Sequence, residues 1–194
     1  MCAYPRPVLA DPSPDLSRHR RLVLFGVTGS GKSALAARLA AAAGLPYVAV
    51  DDLMWRPGWV QLDRDAQVEA LRPYAEREAW VMDSMWSATR DLVLSRADLV
   101  VALDYPRRVS LLRLLARTWR RLRTREEVCG GNTERWSSAL SRDSIVAWHW
   151  RTFERKHREI AALVEATSGP PVLRFTDPRE TDAWVRSLES RAAG

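Results

Sequence analysis

The sequence predicts an α/β protein of the P-loop NTPase class, three layers deep (α/β/α) around a five-stranded parallel sheet, with a small lid. Three observations lead there. Short apolar runs alternate with helix-forming stretches, the pattern of strands buried on both faces and joined by crossover helices. The segment Gly26-Val27-Thr28-Gly29-Ser30-Gly31-Lys32-Ser33 fits G-x-x-x-x-G-K-[ST] at every fixed position, between an apolar run and a helical one. The polar residues with chemical promise follow predicted strands or lie in one excursion, and open parallel sheets bind ligands at the carboxyl ends of their strands.

Taken in order, residues 1–20 hold Pro5, Pro7, Pro12 and Pro14 without periodicity and read as a disordered N-terminal extension. The folded domain is expected over 21–194. Leu22–Gly26 is the first strand, and Lys32–Ala43 the first helix, stopped by Gly44 and Pro46. Tyr47–Val50 reads as a buried strand running into Asp51-Asp52, and 53–59 as an aromatic loop with a Pro-Gly turn. Asp63 caps a helix over Arg64–Arg77. Trp80–Asp83 and Leu99–Leu103 are the third and fourth strands, with a short helix near Arg90–Ser95 between them. A basic helix covers about Arg108–Arg123, and Thr124 to Arg142 is a polar, glycine-containing excursion. A long amphipathic helix from Asp143 or Ser144 to about Thr167, a strand at Val172–Phe175 and a helix at Pro178–Ala192 complete the chain.

At 194 residues, 46% hydrophobic and 28% charged, the chain is long enough for one domain with a sizeable core. No apolar run approaches the roughly 20 residues of a membrane span, and the first residues lack a signal-peptide hydrophobic region. A cytoplasmic location and no membrane partner are the resulting expectations. Cys2 and Cys129 make neither a disulfide framework nor a zinc cluster. The net charge is +6, but all except two of the 30 basic residues are arginine, which marks a general compositional tilt. A basic surface favours anionic ligands, and phosphorylated small molecules satisfy that as well as DNA does.

The glycine-rich stretch needs its glycines so that backbone can wrap around phosphate oxygens. The helix that follows turns unpaired N–H groups and a positive dipole end towards the anion. Gly26, Thr28, Gly29, Ser30, Gly31, Lys32, Ser33 and Ala34 form the expected nucleotide cradle. Lys32 would reach the β- and γ-phosphates and the Ser33 hydroxyl a Mg²⁺ ion. Phosphoryl transfer is mostly positioning and charge neutralisation, so cations and metal-holding carboxylates are the residues to seek. Asp104 closes the run Leu99–Leu103 in the manner of a Walker B acid, and Asp83 follows Trp80-Val81-Met82 in the same way and competes for that role. Asp51 is placed to take a proton from an attacking hydroxyl or to bind the acceptor. Eight arginines fall between 107 and 125, and Arg113, Arg117 and Arg120 share a helix face. Trp55, Trp59 and Trp86 follow strand ends, where they would wall an acceptor pocket.

From Leu22 to about Leu188 the chain resembles the bacterial adenylate-kinase-related P-loop proteins often labelled DNA topology modulation proteins. The resemblance rests on Gly26–Ser33, on Asp51, Leu53, Trp55 and Pro57-Gly58-Trp59, and on Asp83 with Trp86-Ser87. It continues through Arg96-Ala97-Asp98, Leu103 to Arg107, Gly130 and the Trp148–Trp150 helix. It implies a nucleoside-monophosphate-kinase-like fold using ATP and Mg²⁺, in which Arg113 contacts the donor phosphates and Arg117 the transferring region. It also implies a lid at about 124–142 and a path for the adenine base past Thr176-Asp177-Pro178. Two positions depart from the family: Ser84 stands where a glycine is usual, and Val93 where an arginine is expected.

The combined expectation is a monomeric ATP-dependent phosphotransferase. Lys32, Arg113, Arg117 and Asp83 act in catalysis, Ser33 and Asp104 at the metal, and Asp51, Trp55 and Trp86 bind a small-molecule acceptor, a nucleotide or another hydroxyl or phosphate compound. The alternative is a nucleotide-binding regulator that contacts DNA through its arginine-rich face, although the sequence shows no helix-turn-helix, zinc finger or nucleic-acid platform.

Overall fold

The computed structural model describes residues 16–133 and 144–192. Five parallel strands form the central sheet: β1 (Arg21–Gly26), β2 (Tyr47–Val48), β5 (Trp80–Met82), β6 (Leu99–Leu103) and β9 (Val172–Phe175), in the order β2-β5-β1-β6-β9. Alternation along β1 sends its side chains to opposite faces. Leu22 and Leu24 join Val101, Leu103 and Phe175 under α1 (Lys32–Ala43) and the C-terminal helix α7 (Pro178–Ala192). Val23 and Phe25 join Val100, Met82 and Leu71 on the other face. That face is covered by α2 (Val50–Met54), α3 (Arg64–Ala75), α4 (Arg90–Leu94) and the long helix α6 (Ile145–Glu165). The three-layer fold with a five-stranded parallel sheet is therefore present as expected.

Two small antiparallel hairpins stand outside the sheet. One joins β3 (Trp55–Arg56) to β4 (Val60–Gln61), and the other joins β7 (Glu127–Val128) to β8 (Asn132–Thr133). The second hairpin follows α5 (Arg107–Thr124) and forms the described part of the expected lid, whose remaining residues, 134–143, lie outside the described residues.

Several boundaries differ from the sequence reading. β2 stops at Val48, and Val50 opens a helix instead of ending a strand. The cause is Asp83, whose Oδ1 accepts the Val50 N–H at 2.9 Å and draws the chain out of the ladder. The loop expected over 53–59 is the end of α2 followed by a hairpin, which turns at Pro57-Gly58 with Gly58 at φ 83 and Trp59 at φ 60. α3 ends at Ala75, two residues early, with Pro73 in its last turn, where a proline withdraws a backbone donor. Residues 1–15 of the expected N-terminal extension lie outside the described residues, but Leu16–Arg18 is a 3₁₀ turn and Leu16 is buried in the core. The packed part of the chain thus begins before Arg21.

Candidate active site

The loop between β1 and α1 is held in shape by what packs beneath it. Gly29 has φ +84, and a Cβ there would lie 2.4 Å from the Ser110 carbonyl oxygen and 2.8 Å from Leu114 Cβ of α5. Gly26, at φ +155, sits as closely on the Leu103 carbonyl of β6. Both positions need glycine for backbone geometry and for space. Gly31 caps α1 with no side-chain hydrogen bond to its first turn, which leaves those N–H groups to an incoming anion. Ser30 Oγ is buried with no hydrogen-bond partner, a polar atom facing the loop's own hollow.

Cations gather around this loop. Arg113 Nη1 donates to the Ser30 carbonyl at 3.0 Å, joining α5 to the loop backbone. Lys32 Nζ curls back onto the Val27 carbonyl at 3.0 Å. Burial pushes the Lys32 ammonium down to about 8, against the attraction of Asp51 and Asp83, while Arg117 and Lys156 push the same way as burial. A buried ammonium under such cationic pressure is poised for a polyanion. Beside the loop opens a cleft of about 560 Å³, bordered by Ala34, Arg38, Tyr105, Arg113, Arg117 and Arg179. Pro178 lies on its far wall, where the resemblance runs the adenine base.

Carboxylates gather on the opposite side, at the ends of β2 and β5. Asp83 is almost fully buried; Tyr47 Oη donates to it at 3.0 Å and the Val50 N–H at 2.9 Å. Burial raises its pKa, and the Val50 N–H and the Ser33 hydroxyl work in the other direction. Tyr47 is pushed up in turn, by burial first and then by Asp83. Asp51 Oδ1 accepts from Trp86 Nε1 at 2.8 Å and from Ser84 Oγ at 3.2 Å. Trp55 meets Trp59 and Trp86 edge to face, with ring centroids 5.7 and 5.8 Å apart. Asp51, Trp55 and Trp86, named from sequence as acceptor residues, thus share one wall.

Ser84 stands where the resembling family has glycine, and its hydroxyl serves Asp51. Val93 is wholly buried, and the neighbouring Arg90 reaches Glu159 at 3.7 Å and lies over the Phe25 ring.

Asp104, the strand-end acid expected at the metal, is bonded to neighbouring elements. Its carboxylate receives Arg174 Nε at 2.9 Å on one oxygen and lies 2.8 Å from His157 Nδ1 on the other, so it ties β6 to β9 and α6. Asp83 is the strand-end carboxylate whose pKa the Ser33 hydroxyl acts to lower. Ser33 and Asp83 offer hard oxygen donors, which suit a Mg²⁺ ion that keeps waters and takes phosphate oxygens. Among the described residues no group of three or more His, Cys, Asp or Glu is placed to hold a metal ion. The donor set therefore fits an ion that arrives with a nucleotide.

Part of the arginine row is paired within the chain, and part of it faces the cleft. Arg107 pairs with Glu154, Arg120 and Arg121 with Glu126, and Arg113 and Arg117 face the cleft. Three residues of the site escaped the sequence reading: Tyr47, Ser110 and Asn132. Tyr47 was discoverable, since it opens the strand beside the one that ends in Asp83. Ser110 Oγ lies 2.9 Å from His149 Nε2, both residues being fully buried, and only the fold brings these positions together.

No family model matches the chain, and no curated protein sequence matches it. Solved structures do resemble it. Shikimate kinase from Acinetobacter baumannii, in complex with shikimate, superposes with a TM-score of 0.55 at 15% identity, over 92% of this chain and 96% of that one. Shikimate kinase from Bacteroides thetaiotaomicron gives a TM-score of 0.50 at 16% identity, over 91% and 99%. A gluconokinase from Sinorhizobium meliloti superposes more loosely, at 0.48 and 20% identity, over 90% and 95%. The likeness to the two shikimate kinases shows a shared P-loop kinase fold, in line with the nucleoside-monophosphate-kinase-like fold that the sequence resemblance implied.

Proposed function

We propose that the chain is an ATP-dependent kinase that transfers the γ-phosphoryl group to a hydroxyl of a small molecule. The observation that carries this reading is the position of the Lys32 ammonium, within electrostatic reach of Asp51 and Asp83 on one side and set in the Gly26–Ser33 loop on the other. The donor cradle of the loop and the carboxylates at the ends of β2 and β5 thereby meet at one cation. The shikimate kinases and the gluconokinase named above carry kinase activity in their names, and the shared fold makes the same reaction class the economical reading here.

In this reading Gly26, Thr28, Gly29, Ser30, Gly31 and Ala34 hold the phosphates with backbone N–H groups. Lys32, Arg113 and Arg117 neutralise the charge that spreads over the transferring phosphoryl oxygens. Ser33 and Asp83 would hold Mg²⁺, which would supply positive charge against that of the phosphates. Asp83, rather than Asp104, is assigned to that position. Asp51, steered by Trp86 and Ser84, accepts the proton of the attacking hydroxyl. Trp55 and Trp86 supply apolar edges against which the body of the acceptor packs.

The pocket chemistry favours a hydroxyl acceptor over a nucleoside monophosphate. Asp51 and Asp83 place acidic groups on this side, and Val93, wholly buried, stands where the resemblance led to an arginine being expected. The test is a screen of hydroxylated metabolites and nucleoside monophosphates for ATP-dependent phosphorylation, with Lys32→Ala as control. Phosphorylation of a neutral polyol by the wild type and not by Lys32→Ala is expected. Turnover confined to nucleoside monophosphates would overturn the choice of acceptor, and transfer undiminished in Lys32→Ala would overturn the reading itself.

A further inference from the structure

Asn132 sits at the start of β8 with only 4% of its surface exposed, between two hairpins from distant parts of the chain. Its Oδ1 accepts the Trp59 N–H at 2.8 Å. Its Nδ2 donates to the Arg56 carbonyl at 3.0 Å and to the Cys129 carbonyl at 2.6 Å. A donor faces one end of the amide and two acceptors face the other, so the orientation of the side chain is fixed by its neighbours. Two of these three bonds cross from the β7–β8 hairpin to the β3–β4 hairpin.

The same contact fixes strained backbone. Trp59 and Cys129 have φ 60 and 48, values that residues with a Cβ keep only where the surroundings over-determine them. Asn132 binds the N–H of the first and the carbonyl of the second. Gly130 seats against Trp55, whose carbonyl would lie 2.6 Å from a Cβ there, and Trp59 Nε1 reaches the Thr133 carbonyl at 3.3 Å. Trp55 meets Trp86, and Trp86 holds Asp51.

We propose that Asn132 is a positioning residue that clasps the lid hairpin β7–β8 to the acceptor-side hairpin β3–β4, so that the two close on the acceptor as one unit. The inference rests on the acceptor site assigned above. It places the effect of Asn132 on acceptor affinity and not on ATP affinity, because none of its bonds reaches the phosphate loop, α1 or Arg113.

The experiment uses the full chain with Asn132→Ala and Asn132→Asp. The aspartate keeps an oxygen towards the Trp59 N–H but turns a second oxygen on two carbonyls, and it covers the case in which the alanine variant fails to fold. Four quantities are read: hydrogen exchange at the Trp59 amide, iodoacetamide labelling of Cys129 by peptide mapping, affinity for Mg²⁺ with a non-hydrolysable ATP analogue, and KM for the acceptor found in the screen. Burial pushes the Cys129 thiol up to about 12, so its labelling is slow while the clasp holds. The expected result is Trp59 exchange about tenfold faster or more, faster Cys129 labelling, and analogue affinity within about twofold of wild type, with acceptor KM raised about tenfold, one lost set of bonds being worth roughly that factor. Unchanged exchange and labelling would overturn the proposal, as would a parallel loss of analogue affinity. If the screen yields no acceptor, the kinase reading fails, while exchange and labelling still decide whether Asn132 is the clasp.

Discussion

Arg113 donates to the Ser30 carbonyl at 3.0 Å, and this bond makes the second turn of α5 part of the phosphate loop. The guanidinium also lies 5.4 Å from the Tyr105 ring centroid, so it is packed as well as bonded. A side chain held this way costs little to order when a phosphate arrives, which is the condition for a strong electrostatic contribution. Arg113→Ala is expected to lower kcat by about 100-fold, the scale seen when one transition-state donor is removed. Arg113→Lys is expected to recover little, since a lysine ammonium lacks the planar fork that can bond carbonyl and phosphate together. Steady-state kinetics with the acceptor from the screen, and ATP turnover without it, check both variants.

The loop also makes a steric prediction. Gly29→Ala would drive a Cβ to 2.4 Å from the Ser110 carbonyl in a left-handed conformation. Forced backbone of that kind costs about 1–3 kcal/mol before any clash is relieved. Gly44 also has positive φ, 63, but nothing lies within 4 Å of a Cβ there. Gly44→Ala is therefore expected to cost about 1 kcal/mol and to leave ATP binding intact, whereas Gly29→Ala loses more stability and the nucleotide with it. Denaturant melts and a nucleotide titration separate the two.

The two strand-end acids are expected to behave differently. Asp83→Asn should weaken Mg²⁺-dependent ATP binding and shift the Mg²⁺ optimum upward, because the carboxylate beside Ser33 is lost. Asp104→Asn should leave Mg²⁺·ATP affinity near wild type and lower the melting temperature instead, because Asp104 is bonded to Arg174 and His157. A Mg²⁺ titration of ATP binding in each variant decides the assignment. The reverse pattern would return the metal to Asp104.

What the sequence revealed and what it concealed follow from the range of the interactions. The Gly26–Ser33 loop and the five strands were legible because each is written in contiguous residues. Asp83 and Asp104 could not be ranked, since both end apolar runs in the same way. The choice between them depends on Tyr47, Arg174 and His157, which come from three other elements. The hairpin at 55–61 was read as a loop because two-residue strands carry too little periodicity to register. Asn132 gave no local signal at all, because its partners Arg56 and Trp59 lie more than 70 positions away.

The last prediction concerns pH and the N-terminal ends of β1 and β6. Asp98 accepts from the backbone N–H of Arg20 and Arg21, at 3.1 and 3.0 Å, and from Arg21 Nη2 at 2.8 Å. Burial acts to raise its pKa, but these bonds outweigh burial, and the carboxyl is held below its ordinary range. A carboxylate whose pKa is depressed on folding stabilises the protein above its unfolded-state pKa, and that stability is lost as pH falls through the folded-state pKa. Asp98→Asn should therefore destabilise the protein at pH 7 by about 1 kcal/mol, the pair being partly screened by solvent. The gap from wild type should narrow below about pH 4, where the carboxylate of the unfolded chain begins to be protonated, and close as pH falls through the lower folded-state pKa. Urea melts of both proteins between pH 3 and 7 give the comparison. Curves that stay parallel across that range would mean that Asp98 stabilises the N-terminal ends of β1 and β6 by shape and not by charge.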